Sequence, residues 1–144
     1  MTSTVIYEGE LRTVATHLQS GTSIETDAPT DNQGRGERFS PTDLVATALA
    51  ACVATTMGIK TQGMGLNLEG MKINVTKIMK SEPRRIGGID IAFEWPPAFR
   101  ADEKQKLILE RIAHTCPVME SLHPDMEVKM AFNWDKVPSA ADVR

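Results

Sequence analysis

Apolar and polar residues alternate with a period of two in two neighbouring stretches. Met71, Ile73 and Val75 alternate with Lys72, Asn74 and Thr76, and Ile89, Ile91, Phe93 and Trp95 with Asp90, Ala92 and Glu94. Side chains on a strand point to opposite faces in turn, so this period predicts two half-buried strands. Residues 84–88 would form the turn between them, and Pro96-Pro97 stops the second strand. Shorter strand-like segments open the chain, at residues 4–7, 11–18 and 22–26, with turns near Gly9 and at Ser20-Gly21. A last strand carries Met126, Val128, Met130, Phe132 and Trp134 on one face. Residues 27–40, with Pro29, Gly34 and Gly36 among polar neighbours, read as a loop.

The period changes between these strands. Ser40-Pro41-Thr42-Asp43 is a helix start, with serine at the cap, proline at the first helical position and an acid at the third. That acid can reach back to the cap and meets the positive end of the helix dipole. The residues that follow are almost wholly apolar: Leu44, Val45, Ala46, Ala48, Leu49, Ala50, Ala51, Cys52, Val53, Ala54 and Met57. A helix apolar on every face is buried on every face. A chain of 144 residues seldom surrounds such a helix alone, which points to a second chain covering part of it. The helix should end between Gly58 and Gly65. Residues 102–114 read as an amphipathic helix with Leu107, Ile108, Ile112 and Thr115 inward, and Thr115-Cys116-Pro117-Val118 breaks it and starts a short second one. Segregated antiparallel strands, a long buried helix, a hairpin, a helix and a strand make an α+β fold. The expected organisation is one domain over residues 1–134, with residues 135–144 as a polar, proline-interrupted, flexible tail.

Composition narrows the function. Sixteen basic against 19 acidic residues leave a net charge of −3, and aromatics make up 5%. A non-specific nucleic-acid binder needs a basic surface, and a base-stacking platform needs aromatic rings. No apolar run approaches the ~20 residues of a membrane span, and the N-terminus lacks a signal-peptide layout, so a cytoplasmic protein with no membrane partner is expected. The three histidines and two cysteines show no metal-ligand spacing, and no cofactor motif is present. Gly34-Arg35-Gly36 lacks the strand-before, helix-after frame of a phosphate loop and reads as a flexible rim. His114 reads as a cation at a helix end, His123 as a surface residue, and His17 as a strand residue with no catalytic part.

The two cysteines remain. Cys52, mid-helix among apolar neighbours, is either a small core residue or a reactive thiol. Cys116 precedes a proline at a helix start, where backbone amides lower a thiol pKa; it is either that or a plain cap. They lie 64 positions apart, too far for a local redox motif. A reversible disulfide forms only if folding brings their α-carbons to about 5.5 Å.

At FSPTDLVATALAACVATTMGI and AHTCPVMESL the sequence resembles the OsmC/Ohr family of small proteins that reduce organic hydroperoxides with paired cysteines. The likeness covers residues 4–134, and GELRTVATHLQSG and TDAPTDNQGRGERFSPTDL are most similar to its OsmC-like branch. The resemblance implies an intertwined homodimer, its antiparallel sheets wrapped round long central helices and its active sites at the subunit interface. It implies that Cys52 is the peroxidatic cysteine and Cys116 the resolving one, with an apolar organic hydroperoxide as substrate, an external dithiol as reductant and no bound cofactor. The family glutamate ten residues before the first cysteine is Thr42 here, and the acid is the next residue, Asp43. Ten helical residues rise about 15 Å, so either would reach a cysteine only from the partner's helix. The family arginine corresponds to Arg12 near the first turn, with Arg38 and Arg35 in the following loop as alternatives. The replaced glutamate supports a second reading, a dimer that binds small molecules or senses redox state without catalysis. A hydrolase or transferase using Cys52 as nucleophile is a third.

Overall fold

Period-two segments at the start of the chain fold into an antiparallel sheet in a computed structural model that describes residues 1–139. The chain forms two compact units, Met1–Val45 and a second beginning at Ala46, where the sequence reading draws one domain. In the first unit, β1 (Ser3–Gly9), β2 (Arg12–His17) and β3 (Ser23–Asp27) lie in the order β1-β2-β3. The register sets Ile6 opposite Val14, Val14 opposite Glu25, and Arg12 opposite Asp27. Asp27 and Thr26 are buried, whereas Val5, Ile6, Tyr7 and Ile24 are exposed. The loop that follows is tied back to itself, Gly34 donating to the Pro29 carbonyl and Gly36 to that of Ala28. A side chain at Gly34 would collide with the Ala28 carbonyl, so the glycine expected in a flexible rim sits instead at a close backbone approach.

Helix α1 (Pro41–Lys60) starts as its sequence directs. The Asp43 amide donates to Ser40 Oγ at 3.0 Å, and the Ser40 amide donates to Asp43 Oδ2 at 2.9 Å. This reciprocal pair satisfies donors that the first turn leaves without helical partners. By length and composition alone α1 qualifies as a membrane-crossing helix, although the sequence shows no apolar run of that length. Thr42, Asp43, Thr47, Thr55 and Thr56 interrupt the run without interrupting the helix.

In the second unit, β4 (Lys72–Lys80), β5 (Arg85–Glu94) and β6 (Glu127–Ala131) form a sheet in the order β4-β5-β6. Hairpin β4–β5 sets Ile73 opposite Phe93 and Val75 opposite Ile91, as the alternation predicts. The turn is shorter than expected, because β5 already begins at Arg85 and absorbs an irregularity opposite Ile78 and Met79. β6 pairs with β5 in parallel, so the expected antiparallel arrangement is corrected to a mixed sheet. The chain returns through α2 (Glu103–His114) and α3 (Pro117–Ser121), the kind of long crossover a parallel neighbour requires. A Cβ on Gly88 would come within 2.9 Å of the Glu127 carbonyl oxygen, so the glycine admits β6 alongside β5.

Leu49, Val53 and Met57 of α1 join Ile89, Ile91 and Phe93 of β5 and Leu109, Ile112 and Ala113 of α2 in one core. The inward face of α2 runs through Leu109, Ile112 and Ala113. Leu107 is 55% exposed and Thr115 is exposed, correcting the expected face by part of a turn. Burial of α1 is also one-sided within a single chain. Ala48, Ala51 and Thr55 are exposed, and Ile59 is 62% exposed. Asp135, expected to begin the tail, lies in a 3-10 turn over Trp134–Lys136, and Val137 is buried. Residues 140–144 of that tail lie outside the described residues.

Candidate active site

Cys52 sits mid-way along α1, half-buried, and Cys116 caps α3 with no exposed surface. Both are free thiols. Folding brings them together, close enough for each thiol to shift the other's pKa. Two polar groups approach the Cys52 sulfur. The Val118 amide stands 3.5 Å from Cys52 Sγ, and Thr56 Oγ1, one turn along α1, stands 3.9 Å away.

The sequence reading gives the helix-start amides to Cys116. The structure directs the Val118 amide at Cys52 as well. Pro117 has no N–H, so Val118 carries the first free amide of α3. Burial pushes the Cys52 thiol up, but the Val118 amide, the Cys116 thiol and the Thr56 hydroxyl together outweigh it and leave its pKa below the ordinary cysteine value. Burial likewise pushes the Cys116 thiol up. The Met119 amide opposes this, the nearby Cys52 sulfur adds to it, and the net pKa lies above the ordinary value. Two neighbouring thiols are thereby made unequal.

The remaining site candidates lie in the first unit. Arg12 is bound bidentate to buried Asp27, Nε to Oδ1 at 2.7 Å and Nη2 to Oδ2 at 2.8 Å. Its guanidinium also lies 3.6 Å from carboxylate oxygens of Glu25 and of Glu37. The hydrogen bond from Arg12 holds the Asp27 carboxyl below its usual range, and the same bond raises the arginine. Arg38 Nε lies 3.5 Å from Glu25 Oε1, and Arg35 pairs with Glu10. Thr42 Oγ1 lies 3.2 Å from Ser40 Oγ, and Asp43 closes the helix cap. His17 Nδ1 lies 2.6 Å from Ser20 Oγ in the β2–β3 turn. His114 is exposed at the end of α2 with its ring edge-on to Phe132, and His123 accepts the Asp125 amide at 3.0 Å.

Sequence reasoning passed over Thr56 and Val118. Thr56 was within reach of it, since residues four apart share a helix face. Val118 was not, because its neighbour lies 66 positions away.

A family model for OsmC-like proteins matches residues 34–131, a span that holds both cysteines and the elements that bring them together. The chain belongs to the OsmC-like family. This OsmC-like protein is similar to a candidate osmotic stress induced and detoxification response protein from Psychrobacter arcticus 273-4. The two are 48% identical, with 91% of this chain and 94% of the other covered, at a TM-score of 0.86. Its fold also matches the organic hydroperoxide resistance protein OsmC from Legionella pneumophila (16% identity, 91% and 96% coverage, TM-score 0.69). A third match is the organic hydroperoxide resistance protein OhrB of Bacillus subtilis (16% identity, 91% and 97% coverage, TM-score 0.60). Among curated proteins none matches the chain. No group of three or more His, Cys, Asp or Glu side chains is gathered for a metal ion among the described residues.

Proposed function

We propose that this OsmC-like protein reduces organic hydroperoxides by thiol chemistry, with Cys52 as the attacking and Cys116 as the resolving cysteine. The observation that carries the reading is the meeting of the two thiols. The half-buried member of the pair, Cys52, has the lowered pKa and the fully buried member, Cys116, the raised one. A nucleophile must be a thiolate and reachable, whereas a resolving thiol needs only to lie beside it.

The Cys52 thiolate attacks the terminal peroxide oxygen. The O–O bond breaks, an alcohol leaves after taking a proton, and Cys52 becomes a sulfenic acid. Cys116 attacks that sulfur, forming the disulfide and releasing water. An external dithiol supplies two electrons and two protons to restore both thiols. Leu, Val and Met side chains around Cys52 favour an apolar organic hydroperoxide over hydrogen peroxide, and no bound cofactor is needed.

The exposed apolar residues of α1, Val45, Ala48, Ala51 and Ile59, support a homodimer in which a second copy covers that face. The family pattern assigns Arg12 to the thiolate and Thr42 and Asp43 to the place of the acid. Arg12 would take that part while held by Asp27, and Asp43 while capping α1. A cytoplasmic location fits two cysteines that work by cycling between thiol and disulfide.

Purified protein with dithiothreitol or a lipoyl dithiol should consume an alkyl hydroperoxide, and Cys52→Ser should abolish this. Equal consumption by both proteins sinks the reading. The second reading, a small-molecule-binding or redox-sensing dimer, is favoured by one observation: Thr42 cannot carry the charge of the family glutamate. A Cys52 pKa at or above about 8.5 with no sensitivity to peroxide would favour the binding form of that reading.

A further inference from the structure

Thr56 differs from the other helix-end threonines of this chain in where its hydroxyl goes. A threonine within a helix commonly returns its hydroxyl to the carbonyl one turn back. Thr61 does so, donating to the Met57 carbonyl at 2.7 Å, and Thr115 donates to the Arg111 carbonyl at 2.9 Å. The Thr56 hydroxyl faces the Cys52 sulfur at 3.9 Å instead. Its neighbour Thr55 is exposed, whereas Thr56 is half-buried at the site. The Val118 amide of α3 stands 3.5 Å from the same sulfur.

We infer that Thr56 is a positioning residue for Cys52: its hydroxyl donates to the sulfur from one helical turn beyond and, with the Val118 amide, holds it in place as the nucleophile of the site. The inference rests on the proposed role of Cys52 and adds a residue that role did not include. A β-branched side chain on a helix has few χ1 choices, so the hydroxyl is pre-aimed at little entropic cost. Charge on the sulfur strengthens both donors, since hydrogen bonds to an ionised acceptor are roughly twice as strong as neutral ones. The thiolate is therefore held more tightly than the thiol, and reactivity follows.

The test compares Thr56→Ser with Thr56→Ala in the full-length protein. The two replacements differ by one hydroxyl and share the loss of the methyl group, so packing losses cancel between them. The readout is the pH profile of Cys52 alkylation by iodoacetamide, followed on the Cys52 peptide by mass spectrometry. Thr56→Ser should follow the wild-type profile. Thr56→Ala should move the midpoint up by about half a pH unit, a roughly three-fold loss of thiolate below it. Coincident profiles for Ala and Ser, whether shifted together or not at all, overturn the assignment. Peroxide consumption on the same samples separates the two claims. A shifted Ala profile without peroxide turnover in the wild type keeps Thr56 as the residue that positions Cys52 and removes the reductase reading.

Discussion

The Val118 amide stands 3.5 Å from the Cys52 sulfur, joining the start of one short helix to the middle of a long one. Because that amide and the Cys116 thiol both serve Cys52, the two thiols should react on different scales. In wild-type protein, Cys52 should be alkylated with a lower midpoint than an ordinary cysteine, and buried Cys116 more slowly with a higher one. Peptide-resolved mass spectrometry over a pH series measures both at once. Matching profiles for the two cysteines would contradict the geometry.

Asp27 should make stability depend on acid. Its folded-state pKa is held down by Arg12, so its contribution is complete above the unfolded value of about 3.9. The contribution is lost as pH falls through the lower folded-state value. Thermal melts should show wild-type Tm falling below about pH 4. Asp27→Asn should start from a lower Tm near neutrality and fall less over the same acid range. Parallel curves for the two proteins would mean that the pair does not carry the acid sensitivity.

Ser40 and Asp43 cap α1 reciprocally, so Ser40→Ala should cost about 1 kcal/mol in denaturant unfolding. The denaturant slope should stay constant, since the surface exposed on unfolding is the same. A stability equal to wild type would show that the cap adds nothing in this fold.

Gly88 stands opposite Glu127 at the start of the β5–β6 pairing. Gly88→Ala should destabilise by about 1–3 kcal/mol, because the atom its Cβ meets is the Glu127 backbone carbonyl, which cannot swing aside. Hydrogen exchange should show protection lost first along β6. Unchanged exchange in β6 would refute this explanation of the glycine.

Local physics made much of this legible. The Ser40–Asp43 cap was readable because both partners lie within one turn, and the β4–β5 register because its alternation is unbroken. Leu107, Ile108 and Leu109 stand side by side, so periodicity could not choose between them. Packing chose Leu109. The parallel pairing of β6 was not legible, since strand order is decided by contacts far apart in sequence. The same holds for the site. Each cysteine motif could be read alone, but their meeting depends on α3 docking beside α1.

That docking sets when the chemistry begins. Cys52 emerges from the ribosome well before Cys116 and Val118, which lie on the crossover that must settle before β6 can join β5. Until then the earlier cysteine lacks the Val118 amide and the Cys116 thiol. Preferential reactivity of Cys52 over Cys116 is therefore a marker of finished folding, and a nascent or locally opened chain presents both thiols alike.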